Sequence, residues 1–248
     1  MIEVVDPYRC VRCPLMDCSG LNAPTEAQRS YLQEFKQREI RIQKGELLLR
    51  EGTHGAHLFT LLDGALLRYQ TLEDGRRQIV NVLFPGDFVG LQGAFDEPLD
   101  HSVEALMPAR LCVFDRSGFT ELVEHHPMLG YDVIWLAAKE NTALEQHLVS
   151  LGRRNAMERV VYLAVWLLDR AAATGMTEDP TRVSFAITQT QISDMLGLSL
   201  VHTNRTIRAL DGVGLVNWRA REIVVSDLKR AINFSNYEAA DARGRPYI

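Results

Sequence analysis

Between about Glu39 and Phe114 the chain is a string of short apolar or alternating runs punctuated by glycine: ELLLREG, HLFTLLDGALLRYQTLEDGRRQIVNVLFPGDFVG and HSVEALMPARLCVF. Runs of roughly five residues broken by Asp63-Gly64, Asp74-Gly75 and Pro85-Gly86-Asp87 are a hairpin signature. Many short strands at even spacing predict a small antiparallel barrel or jelly roll. The period then changes. Pro127 suits the first turn of a helix, and no proline or glycine interrupts Tyr131 to Leu151. Ile134, Ala137, Asn141, Leu144, Leu148 and Leu151 recur there in steps of three and four, an a/d seam with a polar residue at an a position. A buried asparagine of that kind selects a parallel, two-stranded register, so the seam predicts a dimerisation helix. A helix packed on its own barrel would carry a similar stripe, and Asn141 is what favours the dimer.

A second amphipathic helix is predicted from Asn155 to about Ala173, followed by the loop TGMTEDPTR and the stretch AITQTQISDMLGLSLVHTNRTIRALDGVGLVNWRAREIVVSD. Thr188 and Gln191 have the spacing of a capping box that opens a short helix. Gly197 stands where a tight turn ends that helix, and Ser199 can cap the next. In the second helix Thr203, Ile207 and Leu210 share one face, while Leu200, Val201, Asn204, Arg205 and Arg208 share the other. Two short helices joined by a glycine turn form a helix-turn-helix, whose second helix enters the DNA major groove. GLVNWRAREIVVSD then reads as a small hairpin, the wing.

Composition sharpens this picture. At 248 residues, 46% hydrophobic and 24% charged, the chain suits about two globular domains rather than wholesale disorder. Net charge is −5, which argues against indiscriminate binding of polyanions. The charge is uneven, however. Residues 1–150 hold 14 Lys and Arg against 22 Asp and Glu, whereas residues 151–230 hold 11 against 8, so the basic bias lies in the predicted DNA-binding module. No apolar run reaches the roughly 20 residues of a membrane helix, and the first residues lack the pattern of a secretory signal. The expectation is a cytoplasmic protein without membrane contact, in a compartment where thiols stay reduced.

The expected fold class is therefore α+β: an N-terminal arm at 1–26, a jelly-roll sensor at 27–121, a dimerisation helix at 122–152 and a winged helix-turn-helix at 153–248. This order resembles the CRP/FNR family of bacterial transcription regulators. FPGDFVGLQGAF, GRRNAMERVVYL and ITQTQISDMLGLSLVHTNRTIRAL carry the resemblance, which spans Cys10 to Asp227. It implies a homodimer on a two-fold symmetric site in double-stranded DNA, with RNA polymerase as a further partner, and no enzyme activity. By the same resemblance Arg205 matches the arginine that reads guanine, while Val201 replaces a glutamate that accepts from a base. Asn204 is a reader of adenine, and Ser199, His202 and Arg208 are phosphate contacts.

The signal is a separate question. In the cyclic-nucleotide branch a glutamate holds the ribose and an arginine neutralises the phosphate. GLQGAFDEPLDHSVEA has Leu91 and His101 at those positions and keeps only Ser102. A buried phosphate without its guanidinium loses a contact worth about 1.5–3 kcal/mol, which argues against cyclic AMP. The FNR branch instead holds a 4Fe–4S cluster on three arm cysteines and one in the barrel. CVRCPLMDC supplies Cys10, Cys13 and Cys18, and ARLCVF supplies Cys112 at the matching place. Soft thiolates in a short loop, completed by a strand cysteine, suit such a cluster and its sensitivity to oxygen or nitric oxide. The alternative is a buried core Cys112 with arm thiols that act as simple redox switches, or a regulator that uses haem, an unknown small ligand or no ligand at all. Zinc lacks a Cys/His pairing of finger spacing. His54 with His57, and His125 with His126, read as surface polarity rather than metal ligands. The same FNR resemblance places an apolar residue, Leu144, where that branch has a repelling acid, which implies a dimer that persists without signal. From another class, a cupin-like metal enzyme would share the barrel but leave the winged module without a purpose.

Overall fold

The computed structural model describes residues 2–95, 97–219, 221–239 and 244–248; Asp96 of the GLQGAFDEPLD stretch and Ala220 of the wing lie outside the described residues, as do Met1 and 240–243 of the two terminal segments. Its strands run β1 Glu3–Val5, β2 Leu21–Asn22, β3 Lys36–Ile42, β4 Leu47–Leu49, β5 His57–Asp63, β6 Leu66–Thr71, β7 Arg77–Leu83, β8 Phe88–Val89, β9 Ser102–Ala105 and β10 Ala109–Asp115. Two antiparallel sheets, β1-β3-β10-β5-β8 and β4-β9-β6-β7, face each other as a jelly roll. Ile40, Ile42, Phe59, Leu61, Leu66, Val103, Leu111 and Val113 fill the space between them. The glycine breaks are turns as predicted. Gly64 adopts φ +87, and a Cβ there would meet the Pro108 carbonyl at 2.2 Å, so the β5–β6 turn accepts only glycine. At Pro85-Gly86-Asp87 the Asp87 carboxylate accepts from the Phe84 amide at 2.8 Å and closes the turn.

Among the described residues, seven α-helices follow or flank the barrel: α1 Glu26–Phe35, α2 Phe119–His125, α3 Pro127–Arg153, α4 Ala156–Ala173, α5 Gln189–Leu196, α6 Leu200–Gly212 and α7 Leu228–Ser235. α3 starts at Pro127 and is the long helix the seam predicted. It buries Leu129, Val133 and Leu136 against the barrel, whereas Ile134 is 67% and Leu148 70% exposed. Asn155 caps α4 through a capping box with Glu158, and α4 is the buried centre of the C-terminal head, with Val160 to Leu168 in its core. β11 Arg182–Ser184, β12 Asn217–Arg219 and β13 Glu222–Val224 form the head's three-stranded sheet.

Three features depart from the sequence reading. The N-terminal arm, expected to carry its cysteines in a short loop, is built into the fold: β1 pairs with β3, and two 3-10 turns, Cys10–Arg12 and Pro14–Asp17, lie folded over the barrel. α1 and α7 are helices that no sequence pattern had singled out. The chain also returns at its C-terminal end, where β14 Arg245–Pro246 pairs in parallel with β2.

Head and barrel share one apolar cluster. Phe84 of the barrel stacks on Phe185 and meets the edge of Trp166 from α4, with centroids 5.7 and 5.6 Å apart. Polar contacts fix the docking: Arg77 pairs with Asp194 at 3.4 Å, Gln78 donates to the Met195 carbonyl, and Lys44 donates to the Ala186 carbonyl.

Candidate nucleic-acid interface and cysteine site

α5 and α6 are built as capping rules require. Thr188 accepts from the Gln191 amide while the Gln191 side chain returns to Thr188, so α5 opens with a reciprocal box. Gly197 ends α5 in the left-handed region at φ 61. Ser199 Oγ accepts from the His202 amide at 3.2 Å and opens α6. Ile192, Met195 and Leu196 of α5 pack with Ile207 and Leu210 of α6 in the head's core. Thr203, Thr206, Ile207 and Leu210 are buried, so the rest of α6 faces outward. Ser199, Leu200, Val201, Arg205 and Arg208 are exposed, and His202 and Asn204 are half-buried at the edge of the same surface. Val201, 78% exposed, is its most open apolar side chain. The wing is anchored to the end of α6, because Asp211 accepts from Asn217 at 2.8 Å and also pairs with Arg219. Arg219 and Arg221 are exposed on the wing beside this surface. Sequence reasoning did not select them, although the alternation in WRAR carried the signal.

The cysteines lie at the outer face of the β1-β3-β10-β5-β8 sheet. In β10 the residues alternate: Leu111 and Val113 enter the sandwich, while Cys112 and Phe114 face outward into a second apolar layer with Leu15, Leu32, Leu58, Leu122 and Leu129. Cys112 stands between Glu39 on β3 and Thr60 on β5. The two 3-10 turns set Cys10, Cys13 and Cys18, all half-buried, against this same layer. All four cysteines are free thiols. Burial pushes every one of them up, Cys13 to about 11 and Cys112 well above its ordinary value, so each sulfur keeps its proton at neutral pH. Glu39 is wholly buried beneath them and paired with Lys36 at 2.9 Å and Arg110 at 2.7 Å. Cys18 reaches the head: its thiol donates to the Thr174 carbonyl at 3.3 Å, just past the end of α4.

Among the described residues no three Cys, His, Asp or Glu side chains converge as a single-ion metal site, and that holds for the two histidine pairs as well. His126 instead lies over the ring of Tyr31, with centroids 3.7 Å apart. A cavity of about 670 Å³ between the barrel and α3 is lined by Arg68, Gln78, His101, Glu140, Leu144 and His147, among others. Its arginine, Arg68, is already paired with Glu140 at 2.7 Å. Burial, then Arg68, lowers His101 to about 4, so this pocket presents a neutral imidazole. No helix among the described residues is long and apolar enough to cross a membrane.

A jelly roll, a long helix with an open apolar stripe and a winged helix-turn-helix with a solvent-facing second helix define a DNA-binding regulator. Residues 39–126 match the cyclic nucleotide-binding domain family and residues 162–230 the Crp-like helix-turn-helix domain family. The nitrogen fixation regulation protein FixK of Bradyrhizobium diazoefficiens is 30% identical over 87% of this chain and 90% of its own length. The transcriptional activator protein FnrL of Cereibacter sphaeroides is 27% identical over 91% of each chain. The solved structure of FixK2 from Bradyrhizobium japonicum superposes with a TM-score of 0.69 at 27% identity, covering 82% of this chain and 98% of that one. The chain belongs to the CRP/FNR family of transcription regulators, which are not enzymes.

Proposed function

We propose that the chain is a homodimeric transcription regulator that reads a two-fold symmetric DNA site with α6 and takes its signal at the cysteine site. The observation that carries this is the outward surface of α6, on which Arg205, Arg208, Val201 and Ser199 stand open while the opposite face is sealed in the head. Arg205 reads a guanine, Asn204 an adenine, and Val201 packs on a thymine methyl; Ser199, His202 and Arg208 hold phosphates. Ile134, Ala137, Asn141, Leu144, Leu148 and Leu151 of α3 meet their mates in a second copy, setting half-sites about one helical turn apart. RNA polymerase is the partner through which such a dimer acts on transcription.

Selection of bound sequences from a random DNA pool tests this reading. A palindromic consensus is expected, and Arg205→Ala should lose about 1–3 kcal/mol on it while binding random DNA nearly as before. Equal loss on both would remove Arg205 from base reading.

The signal is read by the thiols themselves. Burial keeps them protonated, so an oxidant reaches them as the thiolate only when the arm opens locally. Cyclic AMP is not the ligand: His101 offers no cation and Arg68 is held by Glu140. A second reading is favoured by the packing of four thiols against one apolar layer beside the Lys36 ammonium. In it Cys10, Cys13, Cys18 and Cys112 would hold a 4Fe–4S cluster, which supplies lability toward oxygen or nitric oxide. Anaerobic treatment with iron and sulfide separates the two. A brown, iron-containing protein that becomes colourless in Cys112→Ala supports the cluster, and an iron-free product leaves thiol chemistry alone.

A further inference from the structure

The C-terminal segment is bound to the arm and the barrel, and it meets the head at one shared carboxylate, Asp87. Arg245 continues the sheet beside the arm, its amide donating to the Gly20 carbonyl at 2.8 Å. Gly244 lies so close to Asn22 that a Cβ would meet its side-chain oxygen at 2.2 Å, and the Asn22 amide donates to the Gly244 carbonyl. The Arg245 side chain, only 15% exposed, pairs with Asp87 at 2.6 Å. The same carboxylate holds Arg170 of α4 at 2.8 Å. Two residues on, Tyr247 and Ile248 are buried in the apolar layer that contains Cys112 and against which Cys10, Cys13 and Cys18 pack. The Ile248 main-chain oxygen accepts from Thr60, the neighbour of Cys112 on β5. Tyr247 is 4% exposed, and its hydroxyl is buried with no hydrogen-bond partner. Cys13, Cys18, Cys10 and Arg29 are near enough to bear on that hydroxyl. A buried O–H without an acceptor in the protein is costly. The sulfurs of Cys10, Cys13 and Cys18 pack against the same layer as the Tyr247 ring.

We propose that residues 244–248 form a strap that covers the cysteine site through Tyr247 and, through Arg245, shares the Asp87 carboxylate that ties the barrel to Arg170 of α4, so that a change at the sulfurs alters that tie. The strap runs parallel to a second tie from the same site, Cys18 to the Thr174 carbonyl and Gly20 to the Ala173 carbonyl. Both ties end within one turn of the C-terminus of α4, on the helix that forms the head's core. Sulfur that gains bulk or charge displaces the Tyr247 ring, and Arg245 then leaves Asp87 with Arg170 as its remaining partner. The inference rests on the reading of the cysteines as the sensory site.

Two measurements on the full chain separate strap from sensor. The first follows thiol modification by Ellman's reagent in the wild type, Arg245→Ala and Tyr247→Ala, with Tyr247→Phe as the control that keeps the ring. Arm thiols should react at least about tenfold faster in both alanine variants and near the wild-type rate in the phenylalanine variant, because local opening limits access. The second measures affinity for the selected DNA site before and after modification. Unmodified Arg245→Ala should already bind as the modified wild type does, with a circular dichroism spectrum that shows the chain still folded at the assay temperature. Unchanged thiol rates in both alanine variants, or unchanged DNA affinity in Arg245→Ala, overturn the strap. If full modification leaves wild-type DNA binding unaltered, the sensory reading fails, and the coupling fails with it even where the rates rise.

Discussion

Individual side chains in this protein show how burial sets chemistry. His147 on α3 lies edge-on to Trp166, with centroids 4.7 Å apart, and burial together with Arg68 and Arg154 lowers it to about 4. His101 is lowered likewise, by burial and Arg68. Both rings bind protons more readily in the unfolded chain, whose histidines titrate near 6.5. Their contribution is therefore complete above that pH and is lost as pH falls toward 4. Urea denaturation at pH 7 and pH 5 should differ by about 1–2 kcal/mol for each ring, and His147→Phe should flatten the dependence. An unchanged slope in the variant would show His147 to be free to ionise. Asp87 adds to the acid sensitivity: burial pushes its carboxyl up, but Arg170 and Arg245 outweigh that and hold it below the usual range. At Gly64 the positive φ and the Pro108 carbonyl act together, so Gly64→Ala should cost more than about 2 kcal/mol, read as a drop in melting temperature.

At the scale of elements, the head is specified by short-range chemistry. Thr188, Gln191, Gly197 and Ser199 sit where the ends of α5 and α6 require them, and each makes the contact its type predicts. Ser199→Ala removes the acceptor for the His202 amide and should destabilise the head by about 1 kcal/mol, measurable in thermal unfolding. DNA affinity should fall further than stability if Ser199 also holds a phosphate. These residues were legible because capping and turn rules act within four positions along the chain. α1 also opens with a box, Thr25 and Gln28, yet it was missed, because its apolar content is low and its packing partners, Phe114 and His126, are distant in sequence.

Across the whole molecule the stripe on α3 is left open. Ile134 and Leu148 are about two-thirds exposed on a helix of 27 residues, beside half-buried Ala137, Leu144 and Leu151. A second copy would cover them, and each leucine buried contributes about 1.5–3 kcal/mol. Sedimentation of cysteine-reduced protein should give a dimer at micromolar concentration, and Leu148→Glu should give a monomer. A wild-type monomer would mean that dimerisation itself depends on the signal. Head and barrel are joined through Phe84, Trp166 and Phe185 and by the Arg77–Asp194 pair.

The sequence by itself determined the jelly roll, the long helix and the winged head, because periodicity, turn glycines and caps are local. It also marked Arg205 and its neighbours as the outward face of α6, since the opposite face carries the apolar residues. Only the tertiary structure decided that the cysteine arm is folded onto the outer face of β10, that Cys18 touches the end of α4, and that Arg245 and Tyr247 return to the same place. Those contacts join residues about a hundred positions apart or more. They depend on which faces are left uncovered once the barrel has closed, and no pattern along the chain encodes that.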